Sequence, residues 1–192
     1  MSTRFRLGIP ALAVALVAPP AAWAQGAVTV IGGGMARDCY EAVEYNHQPV
    51  AKAIDLCDMA LSLENLRMRD KAATFTNRGI LFMRQGNNTR ALWDFQRGLE
   101  TMPDLREAKV NLGAALYNLK RYPEALVALN EGVGSESVDA RAVGYYNRGL
   151  THEKLGDIQR AYEDFQQALQ INPEFTQAAE QMSRFTVVPA GS

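Results

Sequence analysis

Residues 142–175 read AVGYYNRGLTHEKLGDIQRAYEDFQQALQINPEF, and most of their landmark residues occur twice more upstream. This copy holds Asn147-Arg148-Gly149, then His152, Gly156, Ala161, Phe165, Ala168-Leu169 and Pro173. An earlier copy holds Asn77-Arg78-Gly79, then Phe82, Gly86, Ala91, Phe95, Gly98-Leu99 and Pro103. Between them lie Asn111-Leu112-Gly113, Leu116, Ala125, Leu129 and Gly132-Val133. Gly79 and Gly113 are 34 residues apart, and Gly113 and Gly149 are 36 apart. The two extra residues fall in the loose stretch Gly134-Ser135-Glu136-Ser137. A fixed period of this size marks stacked supersecondary units, each too small to bury its own apolar face.

The residue types explain what the period is for. Small residues at Gly79, Gly113 and Gly149, and at Ala91, Ala125 and Ala161, let two helices approach closely. Phe82, Phe95, Leu116, Leu129 and Phe165 fill the space around them. Gly86-Asn87 and Gly156-Asp157 suit a helix end followed by the N-cap of the next helix. Pro123 fits the first turn of a helix, where its missing N–H is no loss. Pro103 and Pro173 stop the second helix of their units.

The pattern closely resembles the tetratricopeptide repeat, a 34-residue helix–turn–helix with an aromatic, Leu-Gly, Tyr, Ala, aromatic, Ala and Pro at set offsets. The resemblance implies an all-α, right-handed helix–turn–helix solenoid with repeats at 72–105, 106–139 and 142–175. Arg78 and Arg148 replace the usual Leu, Gly98 and Gly132 replace Ala, and the middle repeat lacks its closing Pro. Upstream, 37–71 reads as a degenerate helical hairpin: Asp38 to Tyr45 helical, a turn at Asn46-His47-Gln48, and a second helix from Pro49 to Leu63. Downstream, 176–186 is amphipathic and reads as the solvating cap that a repeat stack needs. Residues 25–36 and the tail 187–192 are expected to be flexible or extended.

The first 24 residues read as an export leader. Arg4 and Arg6 form a basic start, Leu7 to Val17 is mostly apolar, and Ala22-Trp23-Ala24 offers small residues at the positions a signal peptidase reads. Cleavage between Ala24 and Gln25 is expected. The apolar run is shorter than the roughly 20 residues needed to span a bilayer, and no membrane insertion is expected after cleavage. The expected location is therefore periplasmic or secreted. Cys39 and Cys57 are the only cysteines. An even count in an oxidising compartment favours one disulfide, with two buried thiols as the alternative.

The composition narrows the function. The chain has 192 residues, with 20 Lys+Arg against 21 Asp+Glu and 47% hydrophobic residues. Such a near-neutral balance gives no footprint for nucleic acid. Two Cys with no Cys or His at short spacing do not make a zinc site, and no metal or cofactor is expected. Val28-Thr29-Val30-Ile31 before Gly32-Gly33-Gly34 faintly resembles a strand and phosphate loop, but the third glycine of a dinucleotide fingerprint is Arg37 and no Gly-Lys-Ser/Thr follows. That stretch reads as a flexible linker. His152 occupies a packing offset of the third repeat, His47 lies in a turn, and Cys39 has no recognisable base. Asn87-Asn88-Thr89 matches a glycosylation sequon, a pattern common by chance. The chain reads as non-enzymatic, with no catalytic residue.

The resemblance also implies a concave face, built from the first helix of each repeat. It would present Asn77, Ile80 and Met83, then Val110, Asn111 and Tyr117, then Tyr146, Asn147 and Leu150. Lys and Arg, with which some members of the family hold a C-terminal carboxylate, are missing from these offsets. Asn at one offset in all three repeats is the feature left, and either ligand binding or helix packing accounts for it. The expected function is an exported adaptor holding a peptide or protein segment in this groove. The alternative is a structural or assembly subunit of a cell-envelope complex docking through the convex face, where Trp93 points outward. Regulation of an envelope enzyme is a third reading.

Overall fold

A computed structural model describes residues 4–7 and 26–188. Among the described residues the helices are α1 (Met35–Tyr45), α2 (Val50–Leu63), α3 (Met68–Arg84), α4 (Asn88–Thr101), α5 (Arg106–Asn118), α6 (Tyr122–Gly132), α7 (Val138–Lys154), α8 (Ile158–Ile171) and α9 (Thr176–Met182). The odd helices pack on one another in an inner layer, α1 on α3, α3 on α5 and α5 on α7. Each even helix from α2 to α6 lies outside, against the odd helices on either side. This is the right-handed all-α repeat solenoid that the resemblance implies.

The repeated residues do the work assigned to them. A Cβ added at Gly79 would lie 2.5 Å from the Phe95 ring, one at Gly113 would lie 2.4 Å from Leu129, and one at Gly149 would lie 2.8 Å from Phe165. Each inner-helix glycine is thus the socket for the large residue of its partner helix, and even one methyl group would push the pair apart. Asn87 Oδ1 accepts the Arg90 N–H at 3.2 Å and Asp157 Oδ1 accepts the Arg160 N–H at 3.1 Å, capping α4 and α8. The preceding glycines have φ of 76° at Gly86 and 85° at Gly156, while Lys120 takes the same left-handed place in the middle repeat at φ 61°. Pro123 sits in the first turn of α6.

Arg78 and Arg148, the departures from the repeat pattern, have a structural reason. Each forms a two-pronged pair with the aspartate 16 residues on, Arg78 with Asp94 at 2.8 and 2.6 Å and Arg148 with Asp164 at 2.8 and 2.7 Å. The middle repeat has Leu112 and Ala128 at these two places, so both members of the pair change together. The outer hollow between α4, α5 and α6 is accordingly apolar, about 350 Å³ in volume and lined by Leu99, Leu112, Leu116, Val127 and Ala128 with charged neighbours. Its counterpart between α6, α7 and α8, about 360 Å³, is lined by Arg148, His152, Arg160, Glu163 and Asp164. His152 is buried beside Asp164, its imidazole held below the ordinary histidine range by burial.

Cys39 on α1 and Cys57 on α2 form a disulfide, with Cα atoms 4.9 Å apart. It staples the hairpin that has the weakest repeat signature. The ends differ from expectation. Residues 26–34 are not a flexible linker: Val28 and Val30 are 4% and 2% exposed and lie against the inner helices. The capping helix stops at Met182 rather than reaching 186, because Ser183-Arg184 turns the chain and Arg184 pairs with Glu153 at 2.7 Å. The run from Phe185, rich in β-branched residues, then forms strand β2 (Phe185–Val188), into which the expected tail extends. It pairs antiparallel with β1 (Arg4–Leu7), Arg4 opposite Val188 and Leu7 opposite Phe185. Phe185 packs on Tyr162 and Phe165, with ring centres 5.7 and 5.9 Å away. The leader's apolar run beyond Leu7 and its Ala24–Gln25 cleavage point lie outside the described residues. Among the described residues no helix is long and apolar enough to cross a membrane.

Candidate functional site

At one end of the inner face two side chains of α3 hold an extended segment of the chain itself. Asn77, fully buried on α3, accepts the Val28 N–H at 2.7 Å and donates to the Val28 carbonyl at 3.0 Å. One amide side chain satisfies both polar groups of one residue without reading its side chain. Seven residues earlier on α3, Asp70 accepts the Ile31 N–H at 3.0 Å. Burial alternates along this extended segment, with Val28 and Val30 buried and Thr29 and Ile31 exposed. The two valines join a cluster with Ala36, Ala60, Ala72, Ala73, Leu105 and Ala108, whose short side chains leave room for them. Past the glycines, Glu64 accepts the Met35 and Ala36 N–H groups at 2.7 and 3.1 Å and so caps α1 from a distance.

The grip is firm in geometry and modest in energy. Burying two valines contributes about 3–6 kcal/mol, and three hydrogen bonds about 3 more. Ordering the backbone of five residues costs about 5–10 kcal/mol. The terms nearly cancel.

The remaining groove residues divide. Asn111 on α5 is fully buried, and its amide nitrogen and oxygen have no hydrogen-bond partner among the described residues. Asn147 on α7 is fully buried as well. Tyr117 is 5% exposed with its ring 5.4 Å from Tyr122, and burial drives its hydroxyl pKa well above the ordinary tyrosine range. Tyr146 lies between Phe165 and Phe175, with ring centres 5.8 and 5.0 Å away; burial pushes its pKa up to about 12. Val110 is wedged against Gly132 and Gly144, where an added Cβ would lie 2.7 and 3.2 Å from its Cγ2. Ile80 and Leu150 are buried in the core, and Met83 is only partly buried where two core clusters meet. The inner-face carboxylates are engaged: Glu107 accepts from the Ser135 hydroxyl at 2.6 Å, and Glu153 holds Arg184.

Sequence reasoning missed Val28, Val30 and Asp70. The signal for the first two was present as a period-two alternation, but three following glycines made it read as a linker. Asp70 falls seven residues, about two turns, before Asn77 and therefore on the same helix face. Among the described residues no group of three His, Cys, Asp or Glu is placed to hold a metal ion.

Comparison with known proteins bears on one repeat by sequence and on the helical region by fold. Residues 142–175 match the model of the tetratricopeptide repeat. A 71-residue stretch is 34% identical to the DnaJ homolog subfamily C member 7 homolog of Schizosaccharomyces pombe, covering 37% of this chain and 15% of that protein. MamA from Desulfovibrio magneticus RS-1, solved from residue 41 to its end, has a similar fold, with TM-score 0.61 and 22% identity over 78% of this chain and 82% of that fragment. The second tetratricopeptide domain of human RPAP3, solved in complex with the HSP70 peptide SGPTIEEVD, matches with TM-score 0.56 and 22% identity over 62% of this chain and 97% of the domain. The chain thus carries a tetratricopeptide repeat by sequence at 142–175 and folds throughout its helical region as a tetratricopeptide solenoid.

Proposed function

We propose that this protein is an exported, non-enzymatic adaptor that holds an extended, uncharged segment of another protein along its concave face. The observation that carries the reading is Asn77 clamping both the N–H and the carbonyl of Val28, an extended peptide lying on that face. Asn111 and Asn147 stand at the same offset in the next two repeats, and the Asn111 amide has no partner among the described residues. The peptide in the RPAP3 complex is acidic near its end. Here the offsets around the Asn ladder hold no Lys or Arg, and Asp70 already stands in the groove, so the favoured ligand is neutral. Export rests on the basic start, apolar run and Ala22-x-Ala24 of the leader, and the Cys39–Cys57 disulfide suits an oxidising compartment.

A second reading, docking through the outer face, draws on Trp93 of α4, which is 54% exposed. A photo-crosslinking residue placed at Met83 or at Trp93 separates the two. Capture of a partner from Met83 and none from Trp93 is expected, whereas capture from Trp93 alone would move the interface to the convex side.

A further inference from the structure

The segment on Asn77 does more than display a grip; it sets a rule for what the grip reads. Its geometry asks three things of an occupant. The residue on Asn77 needs a free N–H, since that group donates to Oδ1. The residue three further on also needs one, for Asp70. The first residue and the one two beyond it must fit small apolar recesses, here filled by Val28 and Val30, while the residues between face outward. Proline is excluded at the first and fourth places, and acidic residues are opposed near Asp70. Gly32-Gly33-Gly34 joins the segment to α1. Of these glycines only Gly33 has no neighbour within 4 Å of an added Cβ; Gly32 lies beside Asp70 and Gly34 beside Glu64, so the segment can swing only about the middle glycine.

We propose that the first-repeat end of the groove is a sequence-reading site for an uncharged extended segment with β-branched residues two apart, that Val28–Ile31 is its resident occupant, and that an external segment of the same kind binds by displacing it. This rests on the concave-face reading above and adds an occupant, a ligand rule and a competition. The resident holds the site at high effective concentration, so an external ligand meets a weakened apparent affinity until the segment leaves.

The test uses the chain's own segment as the probe, so it does not depend on knowing the partner. A fluorescein-labelled peptide of residues 26–34 is titrated into the full chain and into the full chain carrying Val28→Asp with Val30→Asp, folding being followed by circular dichroism. The released variant is expected to bind the probe at least about twofold more tightly than the unaltered chain, as a resident segment whose hold nearly balances its ordering cost requires. Adding Asn77→Ala should remove that gain, and a probe with Pro in place of Val28 should not bind. Equal binding by both chains, or none by a folded released variant, would overturn the proposal. Hydrogen exchange on the unaltered chain gives a second reading without any substitution. Excess unlabelled probe should speed exchange of the Val28 amide, and an unchanged rate would equally overturn it. Either negative result, alongside crosslinking of a partner from Met83, would leave the concave-face function standing and remove only the competition.

Discussion

The middle repeat and its two neighbours solve the same packing problem with different residues. On the outer side, repeats one and three bury an Arg–Asp pair where the middle repeat has Leu112 and Ala128, and either solution is complete in itself. On the inner side the difference is of another kind. Asn77 and Asn111 are the same residue one repeat apart, both fully buried, yet Asn77 has a backbone partner and Asn111 has none among the described residues. A buried amide without partners costs about 1–3 kcal/mol. Outer-face variation therefore exchanges one self-consistent arrangement for another, whereas the inner-face Asn is kept at a cost. Under the proposed function, a bound segment would supply the partner that Asn111 lacks among the described residues.

The largest effect lies in the outer pairs. Asp164→Ala alone leaves the Arg148 guanidinium without its carboxylate in a mostly buried place and should cost about 3–5 kcal/mol. Arg148→Leu with Asp164→Ala together copies the middle repeat and should fall within about 1 kcal/mol of the unaltered chain. Urea unfolding of the two variants checks both. A double variant as unstable as the single would mean that the repeats are not interchangeable. Next in size, Cys57→Ser should cost roughly 3 kcal/mol for a loop of this length. Because neighbours in a stack contact only neighbours, the loss should concentrate in α1 and α2. Hydrogen exchange that rises evenly from α1 to α8 would contradict it. Smaller still, Asn77→Leu should cost about 1–3 kcal/mol by orphaning Val28, while Asn111→Leu should be neutral or stabilising. Paired unfolding curves decide whether the two amides differ as described.

Much of this was legible in the residues. The repeated landmark residues pointed to the solenoid, Gly86-Asn87 and Gly156-Asp157 stand at two helix caps, and the even cysteine count favoured the disulfide over two buried thiols. The departures Arg78 and Arg148 were visible but not interpretable, because their partners Asp94 and Asp164 sit on the next helix and only the hairpin brings them together. Val110 and Tyr146 share the groove side of their helices by spacing alone. Helix face, however, does not say how deeply a side chain is covered, and contacts with Gly132, Gly144, Phe165 and Phe175 decide that. Val28 was missed for a related reason: an extended segment whose backbone pairs with the side chains of Asn77 and Asp70 rather than with a strand leaves no signal beyond its own alternation.

The most direct test of the account is peptide binding by Asn111. Short peptides enriched from a random display library on the folded chain are measured against the chain and against Asn111→Leu, whose stability is expected to be undiminished. The account predicts uncharged, proline-poor sequences that lose about 5- to 150-fold in affinity on Asn111→Leu, the roughly 1–3 kcal/mol of a lost buried hydrogen-bond pair. Enriched peptides that bind Asn111→Leu as tightly as the unaltered chain would contradict it and reduce the Asn ladder to a packing feature.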